Sequence, residues 1–129
     1  MAKHTAAWRP RPEEDDLAAA LRYLTLLFPD GRAKALVRQA QSAPCVRYIA
    51  KDLLRACTLP LLPAEERHVA RDLKRIRKGK SISPIIAIQG DLGKRRPFVI
   101  ADGYHRMCAA CHADEDAPVS AVLVRPEHG

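Results

Sequence analysis

The chain has 129 residues, of which 47% are hydrophobic and 29% charged, close to the averages for globular domains. Such a chain is not wholly disordered, collagen-like or fibrous, and its length suits one domain better than two. No apolar run approaches the ~18 residues of a membrane span, and the first residues contain no apolar signal-peptide core. We therefore expect a cytoplasmic protein without a membrane partner.

Lys and Arg outnumber Asp and Glu by 22 to 15, which gives a formal net charge of +7. A positive charge favours anionic partners such as nucleotide phosphates, nucleic acid or an acidic protein. Aromatic residues make up only 5% of the chain, which argues against a protein that stacks single-stranded bases.

In the first half of the sequence, apolar residues recur at the three- and four-residue intervals of a helix. Residues 1–12 are basic and contain proline, and they predict a flexible arm. Three helices are predicted over residues 13–57, the third opening at Pro44 with Val46 and Ile49 on its buried face. We expect the three helices to pack on the same domain as the rest of the chain, or to give part of their apolar surface to a homodimer.

Within residues 58–129, the spacing of apolar residues changes from helical to strand-like after Gly79. The elements that follow Gly79 have the order β-β-α-β. Together with the preceding helices, this order predicts an α/β (α+β) domain with a small mixed sheet and packed helices, preceded by the N-terminal helical segment. Residues 13–129 then form a single domain. The predicted elements are helices over 64–78 and 104–113 and strands at about 84–89, 97–101 and 119–124.

The most specific segment is Asp-Gly-Tyr-His-Arg, residues 102–106. A strand runs there into a glycine turn and then into a helix, which brings free backbone N–H groups and the positive helix end to one point. Gly103 allows a close approach of the backbone to a ligand, and His105 and Arg106 add donors. These features predict a phosphate site; the alternative is an ordinary turn and cap.

From Leu59 to Val124 the chain resembles the ParB/sulfiredoxin superfamily. The resemblance rests on the helix over 65–78, the Ser-Pro-Ile-Ile-Ala-Ile strand, the following hairpin and the turn at 102–106. That turn is most similar to the Asp-Gly-His-x-Arg turn of ParB-like free-serine kinases; sulfiredoxins carry Gly-Gly-Cys-His-Arg and ParB partition proteins a Gly-Glu-Arg-Arg type. The resemblance implies nucleoside triphosphate or diphosphate binding at the turn, with Mg²⁺ as the cofactor.

Two positions depart from that pattern. Tyr104 stands where sulfiredoxins have their nucleophilic cysteine, so repair of a sulfinic acid by that route is excluded. His105 stands where the ParB turn has its first arginine, which argues against a ParB-type CTP clamp.

The helix before the first strand supplies the other candidates. His68, Arg71 and Arg75 lie at i, i+3 and i+7, and the resemblance implies that they reach the phosphates; the alternative is a solvated basic face. By the same resemblance Glu66 would accept a hydroxyl proton, although acids at a helix start commonly act as caps. Asp102 would position a metal ion on the phosphates or only shape the turn.

Four cysteines occur, at 45, 57, 108 and 111, and we expect free thiols. Cys108-Ala-Ala-Cys111-His112 matches the haem-attachment pattern, but that chemistry belongs to exported proteins. His105, Cys108, Cys111 and His112 span too wide an arc of one helix to bind zinc together. We expect neither haem nor zinc, and the two helical cysteines to be small buried residues.

The sequence therefore predicts a nucleotide-binding protein. If it is an enzyme, it is a phosphotransferase, an NTPase or a nuclease without a cysteine nucleophile. The alternatives are a DNA-binding or partition-type module, a ParB-like nuclease, and a non-catalytic regulator that binds a partner. The catalytic candidates are Glu66, Asp102 and His105, and the phosphate-binding candidates are His68, Arg71, Arg75, Gly103, Tyr104, His105 and Arg106.

Overall fold

The structure is a computed structural model that describes residues 5–126. Helices and strands alternate irregularly along the chain. In chain order they are β1 (Ala7–Trp8), α1 (Glu14–Leu24), α2 (Asp30–Ser42), β2 (Cys45–Ile49), α3 (Ala50–Cys57), α4 (Arg67–Arg77), β3 (Ser81–Ile82), β4 (Ile85–Ile88), β5 (Val99–Asp102), α5 (Tyr104–Ala113) and β6 (Pro118–Val124).

The main sheet has four strands in the order β2-β6-β4-β5. β4 pairs parallel with β6, whereas β2–β6 and β4–β5 are antiparallel, so the sheet is mixed. All four residues of β4 are buried because the strand is central in the sheet and is covered on both faces. The predicted fold class, a mixed sheet with packed helices, is confirmed.

Alternate residues of the sheet divide the core into two layers, as the strand period of two requires. Ile86 and Ile88 of β4 face α1 and α2. Ile85 and Ala87 face the opposite layer, which contains α3 and α5. α4 lies outside α5 and packs on it through Val69, Leu73 and Ile76. This packing brings α4 beside the turn between β5 and α5.

The structure confirms the five elements that the sequence predicts in the second half of the chain, with small differences at their ends. It also confirms the first two N-terminal helices as α1 and α2. No helix within residues 5–126 is long and apolar enough to cross a membrane.

The prediction of a third helix from Pro44 is wrong over its first six residues. Cys45–Ile49 is strand β2, which pairs with β6 from Pro118 to Val122. Val46 and Ile49, expected on a buried helical face, are 45% and 37% exposed. The helix begins only at Ala50. The segment is rich in β-branched and aromatic residues, and an available edge of β6 decides in favour of the strand.

The prediction of a flexible arm is wrong for residues 5–12, while residues 1–4 lie outside the described part of the chain. β1 pairs parallel with β3, and the Arg9 N–H donates to the Ile82 carbonyl at 2.9 Å. The Arg11 guanidinium donates to the Ala40 and Gln41 carbonyls at 3.0 and 2.7 Å. It thereby satisfies carbonyl groups at the C-terminal end of α2, which have no partner within the helix.

Candidate functional site

The turn between β5 and α5 depends on Gly103. This residue has φ +103°, in the left-handed region, and is the N-cap of α5. A Cβ at this position would lie 2.6 Å from Cδ1 of Ile85 and 2.9 Å from Nη2 of Arg106. Both the conformation and the close packing therefore require glycine.

The first turn of α5 presents unused backbone donors. Gly103 provides no side-chain cap, and the first N–H bonded to its carbonyl is that of Met107, at 2.9 Å. Between residues 5 and 126, no acceptor bonds to the N–H groups of Tyr104, His105 or Arg106. These donors, at the positive end of the helix dipole, form an anion-binding arrangement.

The N-terminal turn of α4 meets that of α5. His68 and His105, each the second residue of its helix, have ring centroids 4.8 Å apart. Glu66 is the N-cap of α4, and its Oε1 accepts from the His68 and Val69 N–H groups at 2.6 and 3.0 Å. The same oxygen lies 4.0 Å from Nε2 of His105. Burial acts to raise the pKa of Glu66, but these hydrogen bonds and the neighbouring imidazoles of His105 and His68 together lower it.

An open cleft of about 310 Å³ adjoins the first turn of α5. Its lining includes Gly103 and His105 from the turn and the large side chains of Tyr23 and Leu59 from distant segments. The Tyr104 hydroxyl donates to the Pro60 carbonyl, which ties the segment before α4 to the start of α5. We call this space the turn cleft.

Arg106 is bound mainly to the protein itself. Its Nε donates to the Ser83 carbonyl at 3.0 Å, and its Nη2 donates to Asp102 Oδ2 at 2.9 Å. Nη2 also lies 3.3 Å from the Pro84 carbonyl oxygen and 3.8 Å from Asp16 Oδ1. The guanidinium thus joins the turn to the start of β4 and to α1. The backbone N–H of Arg106 is its contribution to the anion-binding arrangement.

Asp102 shapes the turn through this ion pair. Burial raises the pKa of Asp102, the Arg106 charge and hydrogen bond oppose the rise, and Asp16 adds to it. Within residues 5–126, no group of three or more His, Cys, Asp or Glu side chains is arranged to hold a metal ion.

Arg71 and Arg75 lie apart from the turn cleft. They line a second cleft of about 380 Å³, together with Asp72, Arg106 and the start of α1. Arg75 donates to the Ser81 carbonyl at 3.5 Å, whereas Arg71 is exposed. We call this space the charged cleft. Of the residues predicted from sequence, the structure thus groups Glu66, His68, Gly103, Tyr104 and His105, and places Arg71, Arg75 and Arg106 in the neighbouring cleft.

Among the cleft residues that the sequence analysis does not single out are Tyr23, Leu59 and Asp72. Tyr23 and Leu59 line the turn cleft, and no local pattern relates them to a turn far along the chain. Asp72 is buried on α4 at 7% exposure. A sequence signal for Asp72 did exist, because it is the only acid among the residues of α4 and lies one turn from His68.

The two helical cysteines are buried in the core around α5. Burial raises the pKa of the Cys108 thiol, and it raises that of Cys111 to about 12. The expectation that they are small buried residues is confirmed.

No protein-family model matches the chain, and no curated protein or solved structure is detectably similar to it.

Proposed function

We propose that this protein binds a nucleotide in the turn cleft, with the phosphates at the junction of α4 and α5, and that it belongs to the ParB/sulfiredoxin-like proteins. The observation that carries the proposal is the meeting of two helix N-termini at His68 and His105, whose rings lie 4.8 Å apart. The free N–H groups and the dipole of α5 would act on the anion, beside the Glu66-capped start of α4.

The donors of this junction suit phosphate oxygens. The free N–H groups of the first α5 turn come from the backbone, so they are fixed before any ligand arrives. The imidazoles of His68 and His105 add side-chain donors beside them, and Gly103 keeps the entrance free of a Cβ. Such pre-organised hydrogen bonds to a charged group contribute about 1.5–3 kcal/mol each.

The Tyr23 and Leu59 side chains favour a nucleotide over inorganic phosphate. Tyr23 is 42% exposed and Leu59 45% exposed, and both face the turn cleft. A nucleobase placed against them would bury this surface and stack on the tyrosine ring. A nucleotide with its phosphates at the first turn of α5 and its base against Tyr23 and Leu59 would contact both kinds of lining residue.

Calorimetric titration of the whole protein with ATP, ADP, CTP and GTP, each with and without Mg²⁺, tests the proposal. Pyrophosphate with Mg²⁺ serves as the phosphate-only probe. We expect at least one nucleotide to bind more tightly than pyrophosphate. His105→Ala and His68→Ala should each weaken its binding by about 10-fold or more, the scale of one charge-assisted hydrogen bond.

Lys94→Ala is the matched control, because it removes an exposed cation from the β4–β5 connection, away from the clefts. Equal loss in the control and in the histidine variants would mean that only net charge matters. Absence of binding for every nucleotide, or binding unaffected by both histidine variants, would contradict the proposal.

Nucleic-acid binding is the second candidate, and the outer side of α4 favours it. Lys74, Arg77 and Lys78 are exposed and line a wide groove of about 680 Å³. A Lys74→Glu/Arg77→Glu double variant should abolish binding to duplex DNA and leave nucleotide binding intact. DNA binding with a steep salt dependence would support this function, and retention of DNA by the double variant would contradict it.

A further inference from the structure

Strand β2 forms an open edge of the main sheet. It pairs with β6 on one side, and no other strand within residues 5–126 pairs with it on the other. Val46 and Ile49 are 45% and 37% exposed, and Arg47 is exposed as well. The edge is therefore accessible to a partner strand. Proteins normally protect such edges, because unpaired strand backbone is a template for another chain.

The pairing with β6 shows which backbone groups of β2 point outward. The Ala50 N–H donates to the Ala117 carbonyl at 3.0 Å, one position beyond the pair of Ile49 and Pro118. Because hydrogen-bonded and non-hydrogen-bonded pairs alternate in an antiparallel ladder, the Ile49 N–H points away from β6. Pro118, which has no N–H, suits the non-hydrogen-bonded position. By the same alternation the N–H and carbonyl groups of Arg47 point outward. Within residues 5–126, no hydrogen bond uses these outward groups.

Arg47 gives the open edge a positive charge at its centre. Among the described residues, its guanidinium forms no ion pair. Its neighbour across the ladder, Ser120, is uncharged. At the end of the strand, Asp116 already pairs with Lys51 at 2.6 Å. A carboxylate on an added strand, opposite Arg47, would therefore form a favourable cross-strand pair.

A groove lies beside the open edge. Val46, Tyr48 and Leu123 line a space of about 160 Å³. Tyr48 and Leu123 also line a cavity of about 210 Å³ that reaches Phe98 and is bounded almost wholly by apolar atoms. Since alternate residues of a strand point to one face, every second side chain of an added strand would lie on the groove side. The groove therefore favours apolar residues on either side of the residue that faces Arg47.

A second copy of this chain matches the open edge poorly. An antiparallel pair centred on Arg47 would use the outward backbone groups of both copies, but it would place two guanidinium groups opposite each other. A pair centred on Tyr48 would place Arg47 opposite Ile49. Ile49 is the N-cap of α3, so its carbonyl already serves the first turn of that helix. The edge thus disfavours its own copies and remains open to a strand of opposite charge.

We propose that β2 is a docking edge for an extended acidic segment of another protein, which adds a fifth strand to the four-stranded sheet. A carboxylate of that segment pairs with Arg47, and apolar residues on either side of it occupy the groove. Its backbone donates to the Arg47 carbonyl and accepts from the Arg47 and Ile49 N–H groups. The groove shares no lining residue with the turn cleft, so this docking does not depend on the proposed function.

The test selects peptides of about 10 residues, longer than an ordinary strand, from a random displayed library against the whole protein. Ile49→Pro is the counter-target. Ile49 has φ −68°, which proline adopts, and its N–H points away from β6. This variant therefore keeps the sheet and loses only an outward donor. Ile49→Thr, which keeps the N–H and a β-branched side chain, is the matched control.

The selected peptides should carry Asp or Glu with apolar residues on both sides. Ile49→Pro and Arg47→Glu should each weaken their binding by about 10-fold or more, the scale of one hydrogen bond or ion pair to a docked strand. Ile49→Thr should change it by less than about 3-fold. Lys94→Glu, the same charge change on the β4–β5 connection, should do likewise. In hydrogen exchange, the Arg47 and Ile49 amides should become protected when a peptide binds.

Recovery of no peptide, or of peptides without acidic residues, would overturn the proposal. Binding that both Ile49→Pro and Arg47→Glu leave unchanged would overturn it as well. Light scattering tests the other occupant, because a wild-type dimer that Ile49→Pro converts to a monomer would assign the edge to a second copy and contradict an acidic partner. Thermal unfolding shows whether each variant is folded, and Arg47→Glu keeps the test decisive if Ile49→Pro is not.

Discussion

Arg106 Nη2 donates to Asp102 Oδ2 at 2.9 Å across the turn that contains Gly103. The pair lies four residues apart, so the last residue of β5 is tied to the first turn of α5. Asp16 of α1 and the Ser83 carbonyl complete the surroundings of the guanidinium. One side chain thus holds four parts of the fold in the arrangement on which both clefts depend.

Arg106→Ala should lower the free energy of unfolding by about 2–4 kcal/mol, because it leaves buried carboxylates and carbonyls without their donor. Urea denaturation measures the change. Arg77→Ala, which removes an exposed arginine of α4, should change it by less than about 0.5 kcal/mol. Unaltered stability of the Arg106 variant, with a large loss of nucleotide affinity, would instead make the guanidinium a direct phosphate ligand.

Gly103→Ala should both destabilise the protein and abolish binding in the turn cleft. The new Cβ would meet Ile85 and Arg106 in a backbone conformation that alanine rarely adopts, at a cost of about 2 kcal/mol or more. Gly31→Ala is the matched control. Nothing lies within 4 Å of a Cβ at Gly31, so that variant should gain up to about 1 kcal/mol from helix propensity. Equal unfolding midpoints of the two variants would contradict this account.

The sequence predicted the elements that have a strong period or a clear boundary. β4, α5 and β6 each bury a continuous or small-residue surface, and α4 has an apolar stripe with basic residues at its end. The sequence of β2 predicts a helix because apolar residues in a short segment fit either structure, and only the free edge of β6 decides in favour of the strand. β1 and β3 are two residues long and have no period at all.

The site was predictable only where its residues are adjacent in sequence. The turn at Gly103 carries its own signal, and the resemblance supplied His68 and Glu66. The binding of the Arg106 guanidinium by Ser83, Pro84 and Asp16 depends on packing between distant segments. The same holds for Tyr23 and Leu59 beside the turn, and for the burial of Asp72.

The thiols should differ sharply in reactivity. Cys45 is partly exposed, whereas Cys57, Cys108 and Cys111 are buried. Since the thiolate is the reactive form, the raised pKa values of Cys108 and Cys111 add to their burial. A disulfide reagent at pH 8 should label one thiol rapidly in the folded protein and all four in denaturant. Rapid labelling of more than one thiol would show that the layer around α5 opens readily.

Asp72→Asn should stabilise the protein at neutral pH. The pKa of Asp72 is raised from 3.8 in the folded state, so ionisation of this carboxyl opposes folding. The penalty begins as the pH rises through the ordinary aspartate pKa and is complete above the raised value; it disappears at lower pH, where the group is protonated in both states.

Thermal unfolding of the wild type and of Asp72→Asn at several pH values between 4 and 7 measures this effect. The variant should have the higher Tm at pH 7, and the difference should shrink as the pH falls. Asp15→Asn, at an exposed acid of the same charged cleft, is the comparison variant. A lower Tm for Asp72→Asn at pH 7 would mean that contacts within the protein satisfy the carboxylate, and Asp72 would then be a structural residue.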